Sequence, residues 1–353
     1  MPRLQLDTSL PPLAIGEYRL FFRYQPPSRL PHYPGFAWRG AFGLALKAAV
    51  CVVRSGACDA CLLRYGCAYS LIFETPPPPQ ATKMRRYERI PHPFALRIDG
   101  AYGDSASSES REDTAGFRLG FHLFGQANRQ LPYVIHAFGK AGERGIGATR
   151  QPFYLSHVEQ RGAEGGWHCI YQVPAGQLDY SVRPASIQPP PAPSRIRIEL
   201  LTPFRSKTDG ALVTLATFAF RHWFGPLLRR ISMLSTFHGG QPWEADFAGL
   251  MHRAGAVALD NVQLSWHHLT RYSSRHGKTL EMGGLLGGFE LSGEDLLSFW
   301  PLLWLGQWTS AGKGASMGLG AYRIAAASLS EQTPAQVVAH SGEAICALIE
   351  EPQ

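Results

Sequence analysis

The second half of the chain carries the plainer alternation of apolar and polar positions. Arg195 to Leu201 alternates charged and apolar side chains, the two-residue period of a half-buried strand. Leu212 to Phe237 is long and apolar at helical spacing, with Pro226 where a new helix could begin, since proline's fixed φ suits a first helical position. Asp246 to Leu259 is a second helical stretch. Val262 to Trp266 alternates again, and Leu285 to Leu291 is a glycine-flanked strand. Ser292-Gly-Glu-Asp295 has the residue types of a helix start and opens a helix through Leu305. Met317 to Ile324 reads as a closing strand. The order β-α-β-β-α-β, with one extra helix, is the ferredoxin-like motif.

The first half reads as a looser copy. Tyr18 to Tyr24 alternates as a strand, and Phe36 to Val50 is an amphipathic helix with Trp38, Phe42, Leu46 and Ala49 on one side. Phe117 to Phe124 and Phe153 to Val158 read as strands around a short helix from Leu131 to Gly139. Gly142 to Gly147 precedes the last strand of this half as Gly318-Leu-Gly320 precedes that of the other, which argues for internal duplication. The expected fold is therefore α+β, two tandem ferredoxin-like βαββαβ domains. Residues 1–183 form the first, with a four-cysteine insertion, and 195–330 the second, with a glycine-rich loop. Between them, 184–194 holds five prolines in eleven residues, a linker favouring extended polyproline geometry. Pro76 to Pro79 and the polar Ser105 to Thr114 read as loops, and 331–353 as an acidic tail.

Composition narrows the class. A length of 353 residues suits two domains, and 45% apolar residues exclude a disordered chain. The net charge is +7. It divides as +7 over 1–194 (21 basic, 14 acidic), +4 over 195–330 (13 basic, 9 acidic) and −4 over the tail. Of the basic residues 28 are Arg and 6 Lys, a skew that suits bidentate phosphate recognition and that a GC-rich genome would equally produce. No secretory signal and no apolar run of about 20 residues is present, so a soluble cytoplasmic protein without a membrane partner is expected. In that compartment the six cysteines are thiols or metal ligands rather than disulfides.

Candidate chemistry lies mostly in loops. Gly312-Lys313-Gly314 and Gly318-Leu-Gly320 would let backbone approach a ligand closely, with amides free for an anion and Lys313 adding charge. Gln307 and Gly314 occupy positions that a Walker A loop needs as Gly and Ser or Thr, and the bland alternative is a tight lead-in to an edge strand. Arg271, Tyr272, Arg275, His276 and Lys278 combine cations with a stacking aromatic, a mixture that suits nucleic acid. Arg205 and Lys207 make a similar turn, and Lys83 to Arg89 a third cluster. Cys51, Cys58, Cys61 and Cys67 have the spacing C-x6-C-x2-C-x5-C, which allows a structural zinc site or four reduced thiols. Among the 13 histidines, His32 ahead of the first helix is the foremost acid–base candidate, with His267, His268 and His276 as alternatives.

Several of these segments together carry a resemblance. They are Pro34-Gly-Phe-Ala-Trp-Arg39-Gly-Ala-Phe-Gly43, Leu201-Thr-Pro-Phe-Arg205, Leu227-Leu-Arg-Arg-Ile-Ser232, Arg271-Tyr-Ser-Ser-Arg275, Gly283-Gly-Leu-Leu-Gly287 and the 312–320 loop. In them the chain resembles the RAMP superfamily, and most of all the CRISPR-associated endoribonucleases that process precursor CRISPR RNA. The resemblance implies metal-independent cleavage of a CRISPR repeat RNA, the 2′-hydroxyl attacking its own phosphate. It places the active site near the first helix, with His32 as base and Tyr33 as hydroxyl partner, and needs no catalytic cofactor. Arg39, Arg205, Lys207, the Arg271–His276 loop and the glycine loop would hold the RNA. The second reading is a catalytically silent RNA-binding subunit partnered with other CRISPR effector subunits.

Overall fold

The computed structural model describes residues 10–25, 31–54, 57–81, 89–98, 116–273, 277–293 and 295–326. Ser105 to Thr114, the tail, Arg275, His276 and most of Lys83 to Arg89 lie outside them. The first half runs β1 (Ala14–Arg23), α1 (Pro34–Val50), β2 (Phe94–Ile98), β3 (Gly116–Phe124), α2 (Leu131–Glu143), β4 (Tyr154–Arg161), β5 (Trp167–Gln172) and β6 (Ala185–Ser186). Its antiparallel sheet has the order β2-β3-β1-β4-β5, with β6 paired to the start of β1. The second half runs β7 (Arg195–Phe204), a small hairpin β8 (Lys207–Thr208) and β9 (Ala211–Leu212), α3 (Phe220–His238) and α4 (Phe247–Ala256). It continues with β10 (Asp260–His267), a hairpin β11 (Thr270–Ser273) and β12 (Lys278–Glu281), β13 (Gly284–Ser292), α5 (Asp295–Thr309) and β14 (Tyr322–Ala326). Its sheet has the order β10-β13-β7-β14. In the first half β1 lies between β3 and β4, and in the second β7 lies between β13 and β14. In each, the first strand is thus flanked by the strands before and after the second motif helix, the arrangement of a ferredoxin-like fold.

Departures from the sequence reading have local causes. β2 was not anticipated because Phe94, Ala95 and Leu96 are all fully buried, which erases the alternation. Pro226 lies inside α3 rather than opening a helix, and forgoes the hydrogen bond to the carbonyl of residue 222. Asp246 does cap α4, accepting from Gly249 N–H at 2.8 Å. Ala49 is exposed, and Trp38, Phe42, Ala45 and Leu46 form the buried stripe of α1. The closing strand begins only at Tyr322, because Gly318 and Gly320 take left-handed φ of 86° and 70°.

Two cores hold the halves. In the first, Phe42 stacks on Phe138 with centroids 4.3 Å apart, among Trp38, Phe94 and Phe121. The second gathers Phe220, Trp223, Phe224, Phe289, Phe299 and Tyr322, and also takes in Leu13, Ile15, Ala95 and Phe124 from the first half. Polar contacts close the seam around the C-terminal end of α5. Arg97 donates to Gln307 O (3.2 Å), His122 to Trp308 O (2.8 Å) and Arg230 to Thr309 O (2.6 Å), satisfying terminal helix carbonyls with cationic or polar groups. Trp308 in turn donates to Glu17 Oε2 at 2.8 Å. Among the described residues, no helix is long and apolar enough to cross a membrane.

Candidate functional site

The start of α1 is pressed against the glycine loop of the other half. Tyr33 precedes the helix in an extended conformation and is buried, its hydroxyl donating to Met317 O at 3.1 Å. A Cβ on Gly35 would stand 2.2 Å from the same carbonyl, so only glycine allows this approach. Tyr33, Leu269 and Leu319 form a small apolar cluster flanked by Phe36, Ile98 and Met282. The exposed His32 lies one residue before Tyr33, and His267 and His268 directly precede Leu269, so the cluster brings these two segments of the chain together. Burial, followed by the charges of His32 and His268, holds the His267 imidazole below its ordinary pKa.

Several amides of the glycine loop are taken up within the protein. Lys313 N–H donates to Arg205 O (2.8 Å), Met317 and Leu319 N–H to Gly314 O (2.7 and 3.2 Å), Gly318 N–H to Ala315 O (3.0 Å) and Gly320 N–H to Pro203 O (3.1 Å). Thr202 Oγ1 donates to Gly318 O at 2.7 Å and accepts from Ala321 N–H at 2.9 Å. These amides are therefore occupied within the protein. Gly312 and Gly314 adopt left-handed φ of 79° and 90°, and what the loop presents outward is the exposed Lys313.

Cations from both halves surround this junction. The Arg39 guanidinium lies over the Phe73 ring, 4.4 Å from its centroid. Burial, then repulsion from Arg271, lowers the Arg39 pKa to about 10, so it is still charged at neutral pH. Arg271 projects from β11 with Nη1 3.4 Å from Met317 Sδ. Tyr272, its neighbour on the hairpin, is 67% exposed and free to stack. Arg205 donates to Gly283 O at 2.7 Å, an anchor that ties the end of β7 to the start of β13. Lys207 is exposed on its small hairpin. His267, Phe73 and the Met317 carbonyl were not singled out together by sequence, because β10, the Phe73 turn and the loop lie far apart along the chain.

The cysteine segment does not meet the zinc expectation. Cys58 begins a single 3₁₀ turn, and Cys51, Cys58, Cys61 and Cys67 are all free and partly exposed. Burial chiefly raises the Cys58 thiol pKa. Among the described residues, no group of three or more His, Cys, Asp or Glu side chains converges on a point that could hold a metal ion. A four-thiolate tetrahedron needs that convergence. The residues present therefore do not fit a zinc ion, and no chemistry is assigned to one.

Comparison with known proteins follows the division into halves. Residues 198–322 match the family described as CRISPR-associated endoribonuclease Cas6, and residues 11–184 match a family described as an N-terminal domain. An uncharacterized protein of Archaeoglobus fulgidus is 24% identical over 314 residues, covering 87% of this chain and 95% of its own. Among solved structures, a Cas6 product complex superposes with a TM-score of 0.54 at 16% identity, covering 88% of this chain and 99% of that one. Thermus thermophilus Cas6 gives a TM-score of 0.49 at 14% identity, covering 89% and 99%. The structural likeness establishes the shared tandem fold. Residues 198–322, β7 to β14, thus carry the sequence likeness to CRISPR-associated endoribonuclease Cas6, on a fold shared with a solved Cas6 structure.

Proposed function

We propose that the protein cuts CRISPR repeat RNA without a metal ion, at the rim where His32 meets His267 and His268. A base takes the proton of a 2′-hydroxyl, whose oxygen attacks the adjacent phosphorus. The bond from phosphorus to the 5′-oxygen breaks, and an acid protonates that leaving oxygen. The products are a 2′,3′-cyclic phosphate and a 5′-hydroxyl. RNA brings its own nucleophile, so the protein supplies only a base, an acid, in-line positioning and cations for the developing charge.

The observation that carries the reading is the Tyr33–Leu269–Leu319 cluster, which brings the segments bearing His32 and His267 together from the two halves. His267, whose pKa burial holds below its ordinary value, would receive the proton, with His32 as its partner. Tyr33, whose hydroxyl is committed to Met317 O, acts as a positioning residue. Tyr272 and Lys313 are exposed and would hold RNA around the rim.

The test is single-turnover cleavage of a repeat RNA in EDTA. His32→Ala and His267→Ala should each slow it by roughly a hundredfold. Full activity in both variants would remove these histidines from the chemistry. Tight binding with no cleavage by the wild type would leave the silent RNA-binding subunit as the reading.

A further inference from the structure

We propose that Cys58 and Cys61 are a reversible dithiol–disulfide couple, activated by Arg64 and oxidised by a low-molecular-weight disulfide.

The turn that carries them supplies the geometry. Cys58-Asp-Ala-Cys61 is a C-x-x-C sequence in a chain of βαβ pattern, a combination typical of thiol–disulfide exchange. Cys58–Ala60 form one 3₁₀ turn, and Cys61 N–H donates to Cys58 O at 3.2 Å. Three residues per turn bring the fourth side chain round to the side of the first, about 6 Å along the axis. A disulfide spans Cα atoms about 4.4–6.8 Å apart, so the turn already holds the pair at a distance that the bond bridges. Cys51 and Cys67 belong to other turns: Cys51 N–H donates to Lys47 O at 2.9 Å, and Cys67 N–H to Leu63 O at 2.8 Å.

Access and activation come from the surroundings. Both thiols are free and half-buried. Cys61 lines an apolar cavity of about 470 Å³ with Leu63 and Tyr133, which gives a small disulfide a way to its sulfur. Arg64 folds back over the turn. Its Nη1 donates to Asp59 O at 2.9 Å, inside the C-x-x-C loop, and its Nε is buried with no hydrogen-bond partner among the described residues. A guanidinium held there favours the thiolate, the form that attacks. Burial raises the Cys58 thiol pKa, which leaves Cys61 as the attacking sulfur and Cys58 as the resolving one.

The exchange balances in two steps. The Cys61 thiolate attacks one sulfur of the small disulfide, forming a mixed disulfide and expelling one thiolate. The Cys58 thiolate then attacks the Cys61 sulfur and expels the second. Two protein thiols are oxidised by two electrons, the small disulfide is reduced to two thiols, and both protons pass from the cysteines to the leaving sulfurs.

The test uses the whole chain, reduced, freed of reductant and equilibrated with glutathione and glutathione disulfide over a range of ratios. Acid quenching, alkylation with N-ethylmaleimide and peptide mapping by mass spectrometry then read each cysteine. Cys58 and Cys61 should leave the alkylated pool together, joined to each other in a species lighter by two hydrogens, and return on reduction. The ratio of oxidised to reduced protein should follow glutathione disulfide over the square of glutathione. Cys58→Ser should instead accumulate the mixed disulfide at Cys61. Arg64→Gln should slow formation of the first mixed disulfide by about fivefold. Undiminished alkylation of both cysteines at every ratio, or Cys61 joined to Cys51 or Cys67, would overturn the couple. So would a metal ion that co-purifies with the chain and leaves as these thiols react. An unchanged rate in Arg64→Gln would overturn the activation by Arg64.

Discussion

Tyr33 donates to the Met317 carbonyl and Gly35 packs against it, joining the halves, and substitution of Tyr33 separates positioning from chemistry. Tyr33→Phe removes one hydrogen bond and leaves that carbonyl unpaired, a loss of about 1–2 kcal/mol in stability. Because the hydroxyl does not move a proton in this account, the pH profile of cleavage should keep its shape. A profile shifted at either limb would make Tyr33 a catalytic residue. Single residues were legible in the sequence where their type alone is informative. His32 could be weighed as a loop histidine and Arg271 as an arginine beside an aromatic, while Arg39 came only with the family resemblance. His267 could only be weighed as one alternative, since its partner His32 lies in the other domain. The four cysteines mislead for the opposite reason: their spacing is local and suggestive, while their side chains do not converge.

At the scale of elements, the glycine loop acts first as a folded joint. Gly320 has φ of 70°, and a Cβ there would come within 1.8 Å of Ala311 O, so Gly320→Ala must displace backbone. It should cost on the order of 2–4 kcal/mol and lower the thermal midpoint by several degrees. Gly312→Ala, also left-handed and 2.5 Å from Arg205 O, should behave alike. An unchanged midpoint in both would show the loop to be looser than described. Strands with one wet face, such as β7 and β10, were readable because alternation survives there. β2 is buried throughout and the β11–β12 hairpin is short and polar, so neither leaves a period to read. The closing strand starts late because left-handed glycines interrupt an otherwise continuous apolar run.

The whole molecule is two ferredoxin-like halves locked by buried polar groups, and that seam responds to pH. His238, at the end of α3, donates to Pro91 O across the seam at 2.9 Å, and burial lowers its pKa to about 4. The unfolded chain takes up a proton there near pH 6.5, whereas the native protein refuses it until about pH 4. Stability is therefore complete above about pH 6.5 and declines as pH falls toward 4, by up to about 3 kcal/mol from this residue. Urea unfolding at pH 7.5, 6 and 5 should show the decline, and His238→Gln should reduce it, leaving the share of buried His92, whose pKa burial lowers to about 3; an equal slope in the variant would contradict the assignment. The tandem fold could be foreseen from patterning, and the seam could not, because it is made by contacts between residues more than a hundred positions apart. Net charge was equally silent on the site, which is set by where a few cations and imidazoles meet. The most direct measurement is the chemistry of the cut ends. A CRISPR repeat RNA incubated with wild-type protein in EDTA should yield one 2′,3′-cyclic phosphate and one 5′-hydroxyl terminus, with the product nearly absent for the His32→Ala, His267→Ala double variant. Undiminished cutting by that variant, or ends bearing a 5′-phosphate, would contradict the account.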